Sequence, residues 1–76
     1  MAEKKHKIVK HIGIISEKNS WTRELNIISW NGGKPKYDIR DWDADHEKMS
    51  KGITLTEEEA RSLLKLLSEK KESIND

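Results

Sequence analysis

Apolar and polar side chains alternate along most of the first 55 residues, and this two-residue period predicts β-strands. In the first segment Ile8, Ile12 and Ile14 alternate with more polar positions. An Asn-Gly-Gly sequence at residues 31–33 supplies the positive φ angles that a tight hairpin needs. The pattern predicts four strands, over residues 7–16, 22–30, 36–42 and 49–55.

A helix is predicted after the strands, because Thr56 and Glu59 have the spacing of a capping box. Glu57 and Glu58 place negative charge at the positive end of the helix dipole. The helix carries an apolar stripe about 160° wide, formed by Ala60, Leu63, Leu64, Leu66 and Leu67. One small sheet needs a narrower stripe, so the four leucines are also expected to contact a second subunit.

The expected fold class is α+β, with a four-stranded antiparallel sheet followed by one C-terminal helix. We divide the chain into a flexible basic tail (residues 1–6), a single domain (7–70) and a frayed tail (71–76). Charged residues make up 38% of the 76 positions and hydrophobic types 33%, so the core must be small. The chain has no cysteine, and its three histidines have no metal-ligand spacing. Oligomerisation is then the remaining source of stability, and a homodimer is expected.

The third strand carries cations and an aromatic ring on one side, because Lys36, Arg40 and Trp42 are separated by even intervals. Trp30 shares a face of its own strand with Asn26. Such a surface suits single-stranded nucleic acid, whose phosphates meet cations and whose bases stack on rings. In a chain without phenylalanine the tryptophans are equally reasonable core residues. The ionic neighbours of Trp42 favour the binding role.

Further side chains are expected to extend this surface. Lys48 and Lys51 flank the fourth strand, although alone they are explained as charges that protect a sheet edge. Lys34 lies in the hairpin, and Trp21 and Arg23 are expected at the rim. Net charge is only +1, but residues 1–11 hold a local excess of three positive charges, so an anion-binding surface is expected in the first half of the chain.

The acidic run after the third strand gives no convincing metal site. Asp41, Asp43 and Asp45 begin like a calcium loop, but His46 stands where that loop needs glycine, and its twelfth position is Gly52. No phosphate loop, nucleophile elbow or HExxH sequence occurs. We therefore expect no metal, no cofactor and no enzymatic activity.

Several segments in combination are similar to a known family. YDIRDW (residues 37–42), KGITL (51–55) and the Glu-rich helix start resemble the C-terminal domain of the transcriptional coactivator positive cofactor four. ELN (24–26), SWN (29–31) and HEKM (46–49) are similar to its bacterial YdbC branch. The resemblance covers about residues 7–68.

This resemblance implies a homodimer of curved antiparallel sheets, with the helices at the dimer interface and single-stranded DNA across the strands. It implies DNA contacts by Trp30, Trp42, Arg40 and Lys51, and less directly by Lys34 and Lys36, because hairpin length varies in the family. Trp42 matches either the tyrosine or the tryptophan of the family's Tyr-Trp pair. The chain lacks the Ser-rich arm of the eukaryotic members, so coactivator activity is not expected to follow automatically.

The expected function is single-stranded DNA binding with little sequence specificity, in transcription or DNA maintenance, and RNA remains an open alternative as ligand. A second hypothesis is a protein–protein adaptor that binds a transcription component such as RNA polymerase, or a repair protein, through the same strands. The sequence has neither an apolar run of membrane-spanning length nor a signal peptide. A cytoplasmic location, including association with a bacterial nucleoid, is therefore expected.

Overall fold

The computed structural model describes residues 5–69 and confirms the α+β class. Four strands form one curved antiparallel sheet in the order β1-β2-β3-β4, and a single helix follows. The elements are β1 (His6–Lys18), β2 (Trp21–Trp30), β3 (Lys36–Trp42), β4 (Ile53–Leu55) and α1 (Glu57–Glu69). Residues 1–4 and 70–76, which include most of both expected tails, lie outside the described residues, whereas His6 belongs to β1.

The first hairpin is tighter than the sequence suggested. Asn19 and Ser20 form its two-residue turn, with φ angles of 51° and 72°, and Lys18 pairs directly with Trp21. Positive φ at both turn positions matches the twist of the flanking strands. Both strands therefore extend further into this hairpin than predicted, because the turn itself uses only two residues.

The first strand is bent by three irregularities that its isoleucine pattern did not predict. Its register against β2 shifts at Val9, Ile12 and Ile15, each of which is an extra residue between two paired neighbours. Such bulges bend a strand and increase its twist. Simple alternation fails here, since Ile8 and Ile14 oppose β2 residues while Ile12 is a bulge residue. Strand β1 consequently curls over the sheet instead of lying flat beside it.

The prediction of the fourth strand, residues 49–55, is correct only for the last three residues, Ile53–Leu55. Met49 pairs with Trp42 in an isolated bridge, and regular pairing resumes at Ile53. Between them, the backbone N–H of Asp41 donates to the side-chain Oγ of Ser50 at 3.0 Å instead of to a backbone carbonyl. Because a side-chain oxygen replaces a backbone carbonyl as the acceptor, the backbone hydrogen-bond ladder between β3 and β4 is interrupted here.

The helix begins as predicted. The backbone N–H of Thr56 donates to Glu59 Oε1 at 2.9 Å, and that of Glu59 donates to Thr56 Oγ1 at 3.1 Å. These reciprocal bonds satisfy donors that a helix N-terminus leaves unpaired. No residue of α1 is buried, so the helix is stabilised only weakly by its own sheet.

The two faces of the sheet differ in composition. We call one the polar face, and its β2 and β3 residues are Thr22, Glu24, Asn26, Ile28, Trp30, Lys36, Asp38, Arg40 and Trp42. We call the other the helix face, and it presents Leu25, Ile27, Tyr37, Ile39 and Leu55 toward α1. The predicted side-chain alternation in β2 and β3 is confirmed by this register.

Candidate nucleic-acid interface

The polar face is largely closed to solvent, although it has no second sheet above it. The curl of β1 brings the His6 ring to 5.2 Å from the Trp42 ring, measured between centroids. The loop after β3 brings His46 to 5.5 Å from the same ring. Asn26, Ile28 and Asp38 are buried on this face of the sheet.

Trp42 does not present an open ring. Its side chain is 0% exposed, and the imidazoles of His6 and His46 both lie near its ring. Its ionic strand neighbours favoured a binding role, but two of them, Asp38 and Arg40, are paired with each other and largely buried. Contact of Trp42 with nucleic acid stays a prediction, and it requires this ring to be uncovered.

A buried carboxylate organises one half of the polar face. Glu24 accepts hydrogen bonds from Thr22 Oγ1 and from Asn26 Nδ2, and both its oxygens lie within 3.1 Å of His46 Nε2. His11 Nδ1 lies 2.7 Å from Asn26 Oδ1. Burial alone would raise the pKa of Glu24, but the hydrogen bonds from Thr22, Asn26 and His46 outweigh it and lower that pKa.

In the other half of the polar face, an arginine is held against a tryptophan ring. Arg40 Nε and Nη2 donate to the two oxygens of Asp38 at 2.6 and 2.8 Å. Its guanidinium lies 4.6 Å from the centroid of the Trp30 ring, a cation–π distance. Thr54 Oγ1 donates to the same Asp38 carboxylate at 3.0 Å. The Arg40 side chain is consequently fixed, with one tenth of its surface exposed.

The remaining guanidinium nitrogen of Arg40 faces an open groove. Among residues 5–69, Arg40 Nη1 makes only longer contacts, 3.4 Å to the carbonyl of Ser50 and 3.6 Å to Met49 Sδ. We call this site the Arg40 groove, and it is lined by Arg40, Met49, Ser50, Lys51 and Gly52. The Lys51 side chain adds a second positive charge beside a donor that is weakly engaged.

Glycine is required at the base of the Arg40 groove. A Cβ atom on Gly52 would lie 2.3 Å from the carbonyl oxygen of Ile39 and 2.4 Å from Arg40 Cβ. Atoms cannot approach that closely, so any other residue would push this segment away from β3. Gly52 is therefore a close-approach position that shapes the site.

The other predicted cations lie at different places around this site. Lys36 is exposed at the start of β3 on the polar face, opposite Ile28. Lys34 is exposed in the β2–β3 loop, and Lys48 is exposed in the loop that follows β3. Strand alternation thus places Lys36 with Arg40, while the two loop lysines lie beyond the strands.

Trp21 and Arg23 do not join this group. Alternation along β2 places them on the opposite side from Trp30, with Leu25. Arg23 is engaged by Asp41 through a 2.8 Å bond from Nε, and this carboxylate raises the pKa of Arg23. Both residues, with Lys18, line a separate shallow pocket near the first hairpin. They therefore lie away from the Trp30 surface, and their predicted contact with nucleic acid stays a prediction.

Known proteins are similar to this chain over the segment that carries the site. Residues 17–66 match the family model described as Transcriptional Coactivator p15 (PC4). The chain belongs to the PC4 family. An uncharacterized protein of Treponema pallidum (strain Nichols) is 45% identical over 64 residues, covering 83% of this chain and 75% of that relative. The PC4 match includes Trp30, the Arg40 groove and most of α1, and it confirms the family resemblance.

This PC4-family chain has an open apolar groove on its helix face. The groove has a volume of about 420 Å³ and is lined mainly by aliphatic side chains of the sheet and of α1, with Tyr37. Leu64, Leu66 and Leu67 are each about two thirds exposed, and Leu63 is 38% exposed. Most of the solvent-exposed leucine side chains of residues 5–69 therefore lie on α1 beside the helix face, and no other part of the described chain covers them.

Two classes of site are not found in the part of the chain that the structure describes. Residues 5–69 contain no group of three histidine, cysteine, aspartate or glutamate side chains arranged to hold a metal ion. Within the same residues, no helix has the length and apolar character that a membrane crossing requires.

Sequence reasoning missed the supporting residues of the polar face. His6 was assigned to a tail and His46 was considered only as a residue that does not fit a calcium loop and as part of a family motif, yet both rings lie close to Trp42. Glu24 was used only to recognise the family and Asn26 only for that and as a neighbour of Trp30, yet both are buried. Their spacing of two residues in an apolar strand was the available signal, because charged side chains at such positions need internal partners.

Proposed function

We propose that this protein binds single-stranded DNA with little sequence preference, through Trp30, Arg40 and the surrounding lysines. The observation that carries the proposal is the Arg40 guanidinium, fixed on the Trp30 ring with Nη1 turned to a groove that also holds Lys51. A fixed guanidinium suits phosphate contacts, and an arginine–aromatic layer suits stacking of an unpaired base. Membership in a nucleic-acid-binding, coactivator-type family supports this function.

The low sequence preference follows from how the polar groups are used. Glu24, Asn26 and Asp38 have groups that could read base edges, but all three are buried. Asn26 donates to Glu24, and Asp38 accepts from Arg40. Stacking is available to every base, and phosphate contacts carry no sequence information. Binding should therefore depend on strandedness more than on sequence.

The proposal includes a homodimer that covers the helix face. The exposed leucines of α1 and the apolar groove beside them would be removed from water by a second copy of the same surface. The helix has no buried residue of its own, so it needs such a partner more than the sheet does. A dimer of this kind leaves the Arg40 groove, on the other face, open to a ligand.

Titration with oligo-dT, a mixed-sequence single strand and a duplex tests the proposal. If Lys36, Arg40, Lys48 and Lys51 each meet a phosphate, the logarithm of affinity should fall with the logarithm of salt with a slope of about −3 per protomer. Lys51→Ala should reduce that slope by about 0.7. The matched control, Lys65→Ala on the helix, should leave it unchanged. Equal affinity for duplex, or an equal effect of both variants, would contradict the proposal.

The same titration separates DNA binding from the adaptor hypothesis. An apolar protein contact should persist as salt rises, whereas phosphate contacts weaken steeply. The proposed ligand is found in the cytoplasm of bacteria, and this is where we place the protein. We propose no catalytic step, and incubation of oligo-dT with divalent metal should leave it intact.

A further inference from the structure

We propose that bound nucleic acid displaces the loop over Trp42, and that His46 is the side chain that holds this loop closed. We call residues 43–48 the cover loop. The inference rests on the proposed function and adds to it a second, initially covered stacking site. Trp42 is the ring that this displacement would expose.

The cover loop is organised largely by bonds within itself. The Asp43 carboxylate accepts hydrogen bonds from the backbone N–H groups of Glu47 and Lys48, at 2.8 and 3.0 Å. The backbone N–H of Asp43 donates to the Lys48 carbonyl at 3.1 Å, and that of His46 donates to the Asp43 carbonyl at 3.0 Å. A loop with this internal network can move as a unit and retain its own hydrogen bonds.

His46 attaches this unit to the sheet. Among residues 5–69, the side-chain hydrogen bonds and ion pairs from the cover loop to the rest of the protein run through His46, to the Glu24 carboxylate. The same imidazole lies 5.5 Å from the Trp42 ring. Breaking the contacts of one half-exposed side chain would therefore release the cover.

The closed state leaves one local feature unfavourable. Trp42 Nε1 is buried and has no hydrogen-bond partner among the described residues, a state that native proteins rarely retain without reason. This feature favours opening, since the exposed indole donor gains an acceptor. The left-handed φ of 58° at His46 belongs to the internal conformation of the cover loop and is retained when the loop moves as a unit.

A nucleic-acid base can take the place of the His46 imidazole against the Trp42 ring. The imidazole of His46 lies against Trp42 at a tilt of 32°, and a base offers a larger flat ring for the same position. Its carbonyl oxygens are acceptors for the indole N–H. Trp42 and the Arg40–Trp30 pair lie on the polar face of the sheet, so a single nucleic-acid chain could reach both.

His46→Asn is the variant that tests this mechanism. Asparagine tolerates the left-handed backbone, but its side chain is too short to reach Glu24 as His46 does. The variant should bind oligo-dT more tightly, by roughly tenfold if the open state is a minor one, because the cost of opening is removed. The matched control is His11→Asn, since His11 also contacts Asn26 and Glu24 but lies on β1. It should not tighten binding.

The indole N–H signal of Trp42 in a ¹H–¹⁵N spectrum provides an independent readout. Saturating oligo-dT should shift this signal, which is assigned by its absence in Trp42→Phe. A Trp42 signal that is unchanged at saturation would overturn the cover-loop proposal while leaving DNA binding intact. Tightening by His11→Asn equal to that by His46→Asn would also overturn it. Failure of the wild type to bind oligo-dT would overturn both proposals.

Discussion

The two faces of this sheet have the opposite solvent exposure to the one that their compositions suggest. The polar face carries buried charges, including Asp38 and Glu24 at 0% and 2% exposure. The helix face is aliphatic, yet Ile53 and three leucines of α1 are each more than half exposed. Composition alone would have assigned the first face to solvent and the second to the core.

The difference between the faces comes from what lies above each of them. The bulged strand β1 and the cover loop close over the polar face, and every buried charge there has an internal partner. Above the helix face lies one short helix without a buried residue. Residues 5–69 leave the helix face largely uncovered, and an uncovered apolar face is suited to a second subunit.

The largest expected effect tests whether the polar face is the true core. Trp42→Ala should lower the free energy of unfolding by about 3–5 kcal/mol, because it removes a fully buried ring. Urea denaturation measures this loss. The matched control is Trp21→Ala, which should cost clearly less because Trp21 is only half-buried. Near-equal stabilities of the two variants would show that Trp42 is not a core residue.

The second prediction concerns the buried charges. Asp38→Ala leaves the Arg40 guanidinium without its carboxylate partner, and removing one member of a buried pair costs about 3 kcal/mol or more. The control, Asp41→Ala, breaks the more exposed pair with Arg23 and should cost at most about 1 kcal/mol. Chemical denaturation of both variants makes the comparison, and a cost for Asp38→Ala near that of the control would contradict it.

The third prediction tests the helix face as a subunit interface. Leu64→Glu should weaken self-association at least tenfold, equivalent to about 1.4 kcal/mol, because it places a charge among exposed leucines. Sedimentation or sizing at several concentrations measures the effect. Ser62→Glu puts the same charge on an exposed polar position of the helix and should change association less. A wild-type chain that remains monomeric at micromolar concentration would exclude the homodimer.

The smallest expected effect is a pH dependence from the polar face. The folded state lowers the pKa of Glu24 below its ordinary value of 4.5. Its ionised form therefore stabilises the protein above about that pH, and this contribution disappears as the pH falls through the lower folded-state pKa. Unfolding free energies measured from pH 6 downward should show this loss in the wild type. Glu24→Gln should lack that component, and identical pH profiles would argue against it.

Elements with local causes could be predicted from the sequence. The capping box of Thr56 and Glu59 and the bounds of β3 follow from neighbouring residues, and both are found as predicted. The grouping of Trp30 with Arg40 also follows from strand alternation plus pairing of two adjacent strands. Such features need no knowledge of distant parts of the chain.

The state of the site residues could not be predicted in this way. Whether Trp42 is open or covered depends on His6, 36 positions earlier, and on a loop held by Glu24, 22 positions before His46. Burial of this kind is a property of how β1 curls, and β1 curls because of three bulges that interrupt its alternation.

The sequence by itself determined the α+β class, the faces of β2 and β3, the helix start and the PC4 family. These depend on periodicity, on short-range capping and on motifs that are close together in the chain. Only the tertiary structure decided which face is buried, because burial depends on long-range coverage rather than on polarity. It made Trp42 a core ring beneath a histidine, and it left Arg40 and Lys51 at the open groove.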